Sequence, residues 1–383
     1  MKSFSEKSAL YFMTRTPKPG FSAADHYLRV RGKNLSGMPI INVDDNDYLR
    51  LGDKDFSWNK SSNVMMSGTY IGDDGIHGEI AQKFAHYLTM SAATIVQSGF
   101  VANEAVIQAI ATKNTPIYID EYAHASFISG IKVSNAKKIT FRHNSIEHLE
   151  ELIKKHGPGV IAVDSLYSAV GTFAPLKKLE KIAQIGDHIL VVDESHSIGL
   201  YGPEGAGLCV EFGIVPDFIT ASLAKSFATR AGLIATKNKS HIAYIMEATL
   251  PLIFSSVITH SDVLRISNIL DIMKSDDGTK RRARLMDISS KIRQNLKGKL
   301  QIVDTPMASP IVCLIAKNDE ETIVYQHYLQ SKGIIGATFI YPATPITKPL
   351  IRLSLHSDLT DAEVSRIIQT VEELHNLRIK SKL

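Results

Sequence analysis

The chain has 383 residues, 44% hydrophobic and 21% charged, an ordinary globular balance long enough for one large domain plus a smaller one. Its formal net charge of +4 is too weak, and too free of basic stripes, for a nucleic-acid binder, although anionic phosphate-bearing ligands suit it. The two cysteines, Cys209 and Cys313, stand far apart and suggest neither a disulfide framework nor a metal site, and no apolar run reaches the ~20 residues of a membrane span, so a cytoplasmic protein is expected.

Residues 1–45 are expected to form an N-terminal arm. Met1 to about Gly37 are polar and irregular, broken by Thr16-Pro17-Lys18-Pro19-Gly20, and arms of this kind pack on a partner domain or subunit. The Asn/Asp-rich stretch Asn42 to Leu49 marks turns and, taken alone, reads as a surface loop. Glycines 68, 72, 75 and 78 prevent regular structure before a helical stripe of His77, Ile80, Ala81, Phe84 and Leu88.

Ile95-Val96 is a short apolar run followed by a Ser98-Gly99 turn and a helical pattern through Ile110. Strand, glycine and helix N-terminus together offer free N–H groups and a positive dipole end to a phosphate. Ile117 to Asp120 is a second strand, leading to His124, which by itself reads as structural. Asn144 with Glu147 resembles a capping box opening a helix with apolar face Ile146, Leu149, Leu152 and Ile153. Val160 to Asp164 is again a strand, and Pro175 starts a helix carried by Leu176, Leu179, Ile182 and Ala183.

Two further runs each stop at reactive residues. Ile189 to Val192 ends in Asp193-Glu194-Ser195-His196, and Phe218 to Ala221 ends in Ser222-Leu223-Ala224-Lys225. The alternation over residues 93–221 argues a mostly parallel sheet with right-handed crossovers, whose carboxyl ends gather ligand-handling groups. Asp193, His196 and Lys225 are then expected to face one crevice. A lysine able to form a Schiff base, an acid aimed at a ring nitrogen and a nearby histidine are what a pyridoxal phosphate site requires.

Leu233 to Thr236 adds a strand, and the apolar spacing from Ile242 to Ile272 predicts long linking helices. Lys280 to Arg284 reads as a solvated helix face. From about Leu300, strands at 301–304 and 311–315 mix with helices at 321–332 and 361–377, which predicts a smaller α+β domain. The strand Leu350 to Leu355 carries one arginine, Arg352, whose fork suits a substrate carboxylate.

Taken together these pieces resemble the α-oxoamine synthases, along nearly the whole chain. The resemblance rests on Asn46-Asp47-Tyr48-Leu49, Ser98 to Asn103, His124-Ala125-Ser126, Asp193 to His196 with Gly199 and Gly202, Ser222 with Lys225, and Arg352-Leu353-Ser354. Asp164 to Ser168, Gly202 to Gly207 and Ser222 to Ala228 look similar to the autoinducer synthases of that family, which make long-chain α-amino or α-hydroxy ketone signals. The resemblance implies an α/β fold of the aspartate aminotransferase-like kind, fold type I, with a large, mostly parallel sheet domain over 46–255. It places a linking helix and a small C-terminal α+β domain over 256–383.

The resemblance also implies roles. Lys225 forms the Schiff base with pyridoxal phosphate and serves as base at the substrate Cα, Asp193 pairs with the pyridine nitrogen, His124 stacks on the ring and His196 donates to the ring hydroxyl. Ser98, Gly99, Phe100 and Ser222 hold the phosphate, helped by Ser256 from a second subunit of a homodimer with shared sites. Ser168 lies beside the ring, while Asn46 and Arg352 meet the amino-acid substrate. No metal is implied.

The implied reaction joins a medium or long acyl-CoA to a small amino acid or an S-adenosylmethionine-type donor, with CoA release and decarboxylation. Members of 8-amino-7-oxononanoate synthase or 2-amino-3-ketobutyrate CoA ligase type, a plain aminotransferase, and a ligand-binding regulator are the alternatives. Two departures bear on the acyl donor. Met66 to Tyr70 lacks the arginine common in the family, and the glycine-rich segment after the lysine reads Ala228-Thr229-Arg230-Ala231-Gly232, both of which fit a greasy chain without a terminal carboxylate.

Overall fold

The computed structural model describes residues 38–43, 46–51, 54, 67, 75–299, 301–303, 305–340, 344 and 348–381. Most of the expected arm, and the Met66 to Tyr70 departure apart from Ser67, lie outside the described residues. In chain order the strands are β1 (Ile41–Asn42), β2 (Ala92–Val96), β3 (Pro116–Asp120), β4 (Lys137–Phe141), β5 (Val160–Asp164), β6 (Ile189–Asp193) and β7 (Phe218–Ser222). They continue with β8 (Gly232–Thr236), β9 (Gln301–Ile302), β10 (Ile311–Ile315), β11 (Ile334–Ile335), β12 (Ala337–Phe339) and β13 (Leu350–Ser354).

A seven-stranded sheet has the order β2-β8-β7-β6-β5-β3-β4, with β8 antiparallel to both its neighbours and every other pair parallel. Helices cover both faces, which is why β5 and β6 are unbroken apolar runs: neither has a solvent side. Successive residues feed different cores. Val160 and Ala162 pack with the helices Gly99–Ile110, Ala125–Ser134 and Lys239–Ala248, whereas Ile161 and Val163 pack with Ile146–His156 and Leu176–Gly186. β4 escapes the sequence pattern because it is the sheet edge. Lys137 and Lys138 are exposed there and interrupt the apolar run, a charge placement that discourages pairing with another chain.

A four-stranded antiparallel sheet, order β12-β13-β10-β9, forms the second unit, packed with the helices Asp276–Leu296 and Asp319–Ser331, against which the helix Asp361–Ser381 lies. β1 pairs parallel with β11, and Ser354 N donates to Val43 O at 2.6 Å, so the segment leading to Asn46 is fastened to this smaller sheet.

Three local readings change. The cap of the helix Ile146–His156 is Ser145, whose Oγ accepts from His148 N at 3.3 Å. Asn144 sits one residue earlier with φ 56°, a conformation asparagine tolerates, and its N–H goes to Asp120 Oδ2 at 2.8 Å. The run Lys280 to Arg284 is not simply a solvated face. Arg281, Arg282 and Arg284 are half-buried and donate to the carbonyls of Leu49, Met273 and Leu359 respectively, stitching the helix Asp276–Leu296 to its neighbours. The linking stretch after β8 is interrupted at Thr249 and over residues 254–259, giving the helices Lys239–Ala248, Leu250–Ile253 and His260–Lys274.

Candidate active site

Asp164 and Asp193, the last residues of β5 and β6, and Thr220, the middle residue of β7, are register partners, so their side chains form a row on one face of the sheet. Asn103, buried on the helix Gly99–Ile110, lies over that row. Its amide donates to Asp193 Oδ2 at 2.6 Å and Ser126 Oγ at 2.9 Å, and its carbonyl accepts from Thr220 Oγ1. The other oxygen of Asp193 takes the Ser195 N–H at 2.7 Å. Both oxygens are therefore occupied by donors, which fixes the carboxylate's orientation.

Above the row lies a cavity of about 200 Å³ lined by Ser98, Gly99, Phe100, His124, Asp164, Asp193, Ser195, His196, Ser222 and Lys225. Lys225 enters from the turn after β7. Burial lowers its amine from 10.5 to about 8, with Asp193 and Asp164 pulling the other way and Arg352 adding to the drop. Burial holds His196 well below the usual histidine range, and the charges of Lys225, Arg352 and His124 push in the same direction. His124 is lowered by burial, partly offset by Asp193, and its Nδ1 lies 2.7 Å from Ser126 Oγ. Asp164 accepts from His124 N at 3.1 Å, while burial and then the charge of Asp193 hold its carboxyl well above the usual range.

One end of the cavity is the N-terminus of the helix Gly99–Ile110. Ser98 caps that helix, its Oγ accepting from Val101 N at 3.2 Å. The helix end sits hard against the strands: a Cβ on Gly99 would come within 2.6 Å of Ser222 Cβ, and one on Gly232 within 2.1 Å of Ser98 O. Only glycine allows that approach. Ser222 N in turn donates to Ser195 Oγ at 2.7 Å, tying the ends of β6 and β7 together.

Of the residues expected from sequence, Ser98, Gly99, Phe100, His124, Asp193, His196, Ser222 and Lys225 line this cavity. Asn46 and Arg352 stand behind His196, in a chain that runs His196 Nδ1 to Tyr48 Oη (2.6 Å), Tyr48 Oη to Asn46 Oδ1 (3.2 Å) and Arg352 Nη2 to Asn46 Oδ1 (3.2 Å). Ser168 is outside the lining, and its main-chain carbonyl accepts from Arg352 Nη1 at 2.9 Å. Ser256 is exposed and also outside the lining, its carbonyl taking Gln97 Nε2 at 2.9 Å. Sequence reasoning assigned no role to Asp164, Ser195, Asn103 or Tyr48. For Asp164 a signal existed, since it closes an apolar run as Asp193 does.

These residues fit pyridoxal phosphate: a helix N-terminus of close-packed glycine for the phosphate, an oriented carboxylate for the pyridine nitrogen, an imidazole at the rim and a lysine whose amine loses its proton readily. Fold and cavity define a fold type I pyridoxal-phosphate-dependent enzyme. The sequence profile of the aminotransferase class I and II family matches residues 40–371. The chain is 35% identical to the CAI-1 autoinducer synthase of Vibrio campbellii over 358 residues, 91% of this chain and 89% of that protein. It is 27% identical to the 8-amino-7-oxononanoate synthase of Thermosipho melanesiensis, covering 89% of each. Among solved structures, the Sphingomonas wittichii serine palmitoyltransferase superposes with a TM-score of 0.81 at 22% identity, covering 97% of this chain and 96% of that one, a likeness of fold. The chain belongs to the class I and II aminotransferase family, in its α-oxoamine synthase branch. The cofactor of that family is pyridoxal phosphate.

No helix among the described residues is long and apolar enough to cross a membrane.

Proposed function

We propose that the chain condenses a medium or long acyl-CoA with a small amino acid or an S-adenosylmethionine-type donor, giving the α-aminoketone precursor of an α-hydroxyketone signal. The observation that carries this reading is the likeness to the CAI-1 autoinducer synthase along nine-tenths of the chain. When bound, pyridoxal phosphate supplies an electron sink for charge developing at the amino-acid Cα. The chain's own residues do the rest. Lys225, with an amine that is half deprotonated near pH 8, anchors the cofactor and takes the proton from Cα. Asp193, held at both oxygens, keeps a proton on the ring nitrogen, and His124 covers the ring face. The N–H groups of Gly99 and Phe100, with Ser222, hold the phosphate. Arg352 binds the amino-acid carboxylate. A carbon–carbon bond then forms between Cα and the thioester carbonyl as the C–S bond breaks and CoA leaves. The carboxylate departs as carbon dioxide, and Lys225 returns a proton to the same carbon.

The active form is a homodimer in the cytoplasm. Ser256 is exposed and outside the cavity of its own chain, which suits a role in the site of a second copy, and the neighbouring Phe254 and Leu250 are 79% and 55% exposed, apolar surface suited to a partner. Restoration of activity on mixing two inactive variants, one at Lys225 and one at Ser256, supports shared sites, and a fully active monomer contradicts them.

The deciding assay is release of free CoA, read with a thiol reagent, from octanoyl, decanoyl, dodecanoyl and tetradecanoyl thioesters against succinyl and pimeloyl ones. Each buried CH₂ favours binding by up to ~0.8 kcal/mol, so kcat/KM climbs along the saturated series and then falls at the pocket wall. Preference for a dicarboxylic donor contradicts the reading, and keto-acid consumption without CoA release makes the protein a plain aminotransferase.

A further inference from the structure

We propose that Tyr48 is a positioning residue that fixes His196 as the tautomer protonated at Nε2, so that the imidazole presents an N–H donor to an anionic oxygen in the cavity. The assignment follows from counting protons and lone pairs. Tyr48 is fully buried, and its hydroxyl lies 2.6 Å from His196 Nδ1 and 3.2 Å from Asn46 Oδ1. A phenol has one proton to give, and among the described residues those two acceptors compete for it.

Asn46 Oδ1 is already served. Arg352 Nη2 and Ser354 Oγ each donate to it at 3.2 Å, and a carbonyl oxygen has two lone pairs. His196 Nδ1 is nearer and has no other hydrogen-bond partner among the described residues, so the Tyr48 proton goes there. A ring that accepts at Nδ1 while neutral carries its own proton on Nε2. The surroundings enforce neutrality, since His196 is buried and faces the cations Lys225 and Arg352 as well as His124. The reverse arrangement, with Nδ1 donating to Tyr48 and Tyr48 to Asn46, asks one carbonyl oxygen to take three donors.

The backbone holds Tyr48 in place for this. Ser357 N donates to Tyr48 O at 2.8 Å, and Leu51 N donates to Asp47 Oδ1 at 3.0 Å, so the turn that carries the phenol is tied at both sides. With Nδ1 engaged, Nε2 is the atom the cavity-lining ring offers to a ligand. On the proposed function that ligand is the cofactor's ring oxygen, and this last step rests on that reading. The tautomer itself does not.

The test is long-range ¹H–¹⁵N correlation NMR of histidine-labelled protein stripped of cofactor, with His196→Gln identifying the signal. The wild type is expected to show the pattern of a neutral ring protonated at Nε2 from pH 6 to pH 8, and Tyr48→Phe to show averaged shifts from a mixture of tautomers. An Nδ1-protonated wild type overturns the proposal, as does an unchanged pattern in Tyr48→Phe. The wild-type spectrum decides even where that variant fails to fold. In holoenzyme, Tyr48→Phe is expected to weaken pyridoxal phosphate retention about tenfold, the loss of one well-aligned hydrogen bond. If the wild-type tautomer is as stated and pyridoxal phosphate does not bind at all, the functional reading fails and the tautomer assignment stands.

Discussion

The floor of the cavity and the region behind His196 are built on opposite plans. At the floor, Asp193 has donors on both oxygens, and the residue that supplies one of them, Asn103, is itself bonded at both ends of its amide. Behind His196, Arg352 spends two nitrogens on Ser168 O and Asn46 Oδ1 and stacks over the Phe339 ring at 4.7 Å, yet its Nε is buried with no hydrogen-bond partner among the described residues. Leaving such a donor unpaired costs roughly 1–3 kcal/mol. The floor is finished before any ligand arrives, whereas the region behind His196 keeps an open donor.

The comparison breaks hardest at Asp193. Asp193→Asn preserves shape and still accepts one hydrogen bond, so cofactor is expected to bind while kcat falls about 10²- to 10³-fold, the scale of losing one preorganised charge. Steady-state turnover beside cofactor content checks this, and near-normal kcat removes the electrostatic role. At Arg352 the effect belongs to binding. Arg352→Lys keeps a charge and loses the fork, so KM for the amino acid is expected to rise about tenfold or more with a smaller change in kcat.

Asp164 sharpens the contrast within the floor. Its folded carboxyl titrates above the ordinary range, so the stability it contributes is present at acid pH and is lost as pH rises from the ordinary carboxylate value toward its own. Asp164→Asn, neutral and able to keep the bond from His124 N, is expected to flatten that fall in urea melts across pH and to cost turnover no more than about threefold. A steeper fall in the variant contradicts this. The smallest effect lies in the loop beside the lysine, where Ala228 has φ 43°, a left-handed conformation an alanine adopts at a cost. Ala228→Gly should stabilise the protein by roughly 0.5 to 1 kcal/mol in the same melts.

Much of the floor was legible in the sequence because it lies at the ends of apolar runs. β5, β6 and β7 are short, unbroken and closed by Asp164, Asp193 and Ser222 just before Lys225, so strand ends and reactive groups coincide along the chain. What the sequence hid depends on register or on distant partners. Asn103 matters because a helix lays it over Asp193 and Thr220, ninety and more residues away, and Tyr48 because it meets His196 across 148 residues. β4 was hidden for another reason: an edge strand needs no continuous apolar run, and Lys137-Lys138 broke the one it has. The arginines of 281–284 looked solvated because only folding brings carbonyls of Leu49, Met273 and Leu359 within their reach.

The most direct test of the central claim is borohydride reduction of the purified protein followed by peptide mass spectrometry. A single pyridoxyl adduct on Lys225, absent from Lys225→Ala, is the predicted result. An adduct on another lysine, or none in protein that carries pyridoxal phosphate, would contradict the assignment of Lys225 as the residue that anchors the cofactor.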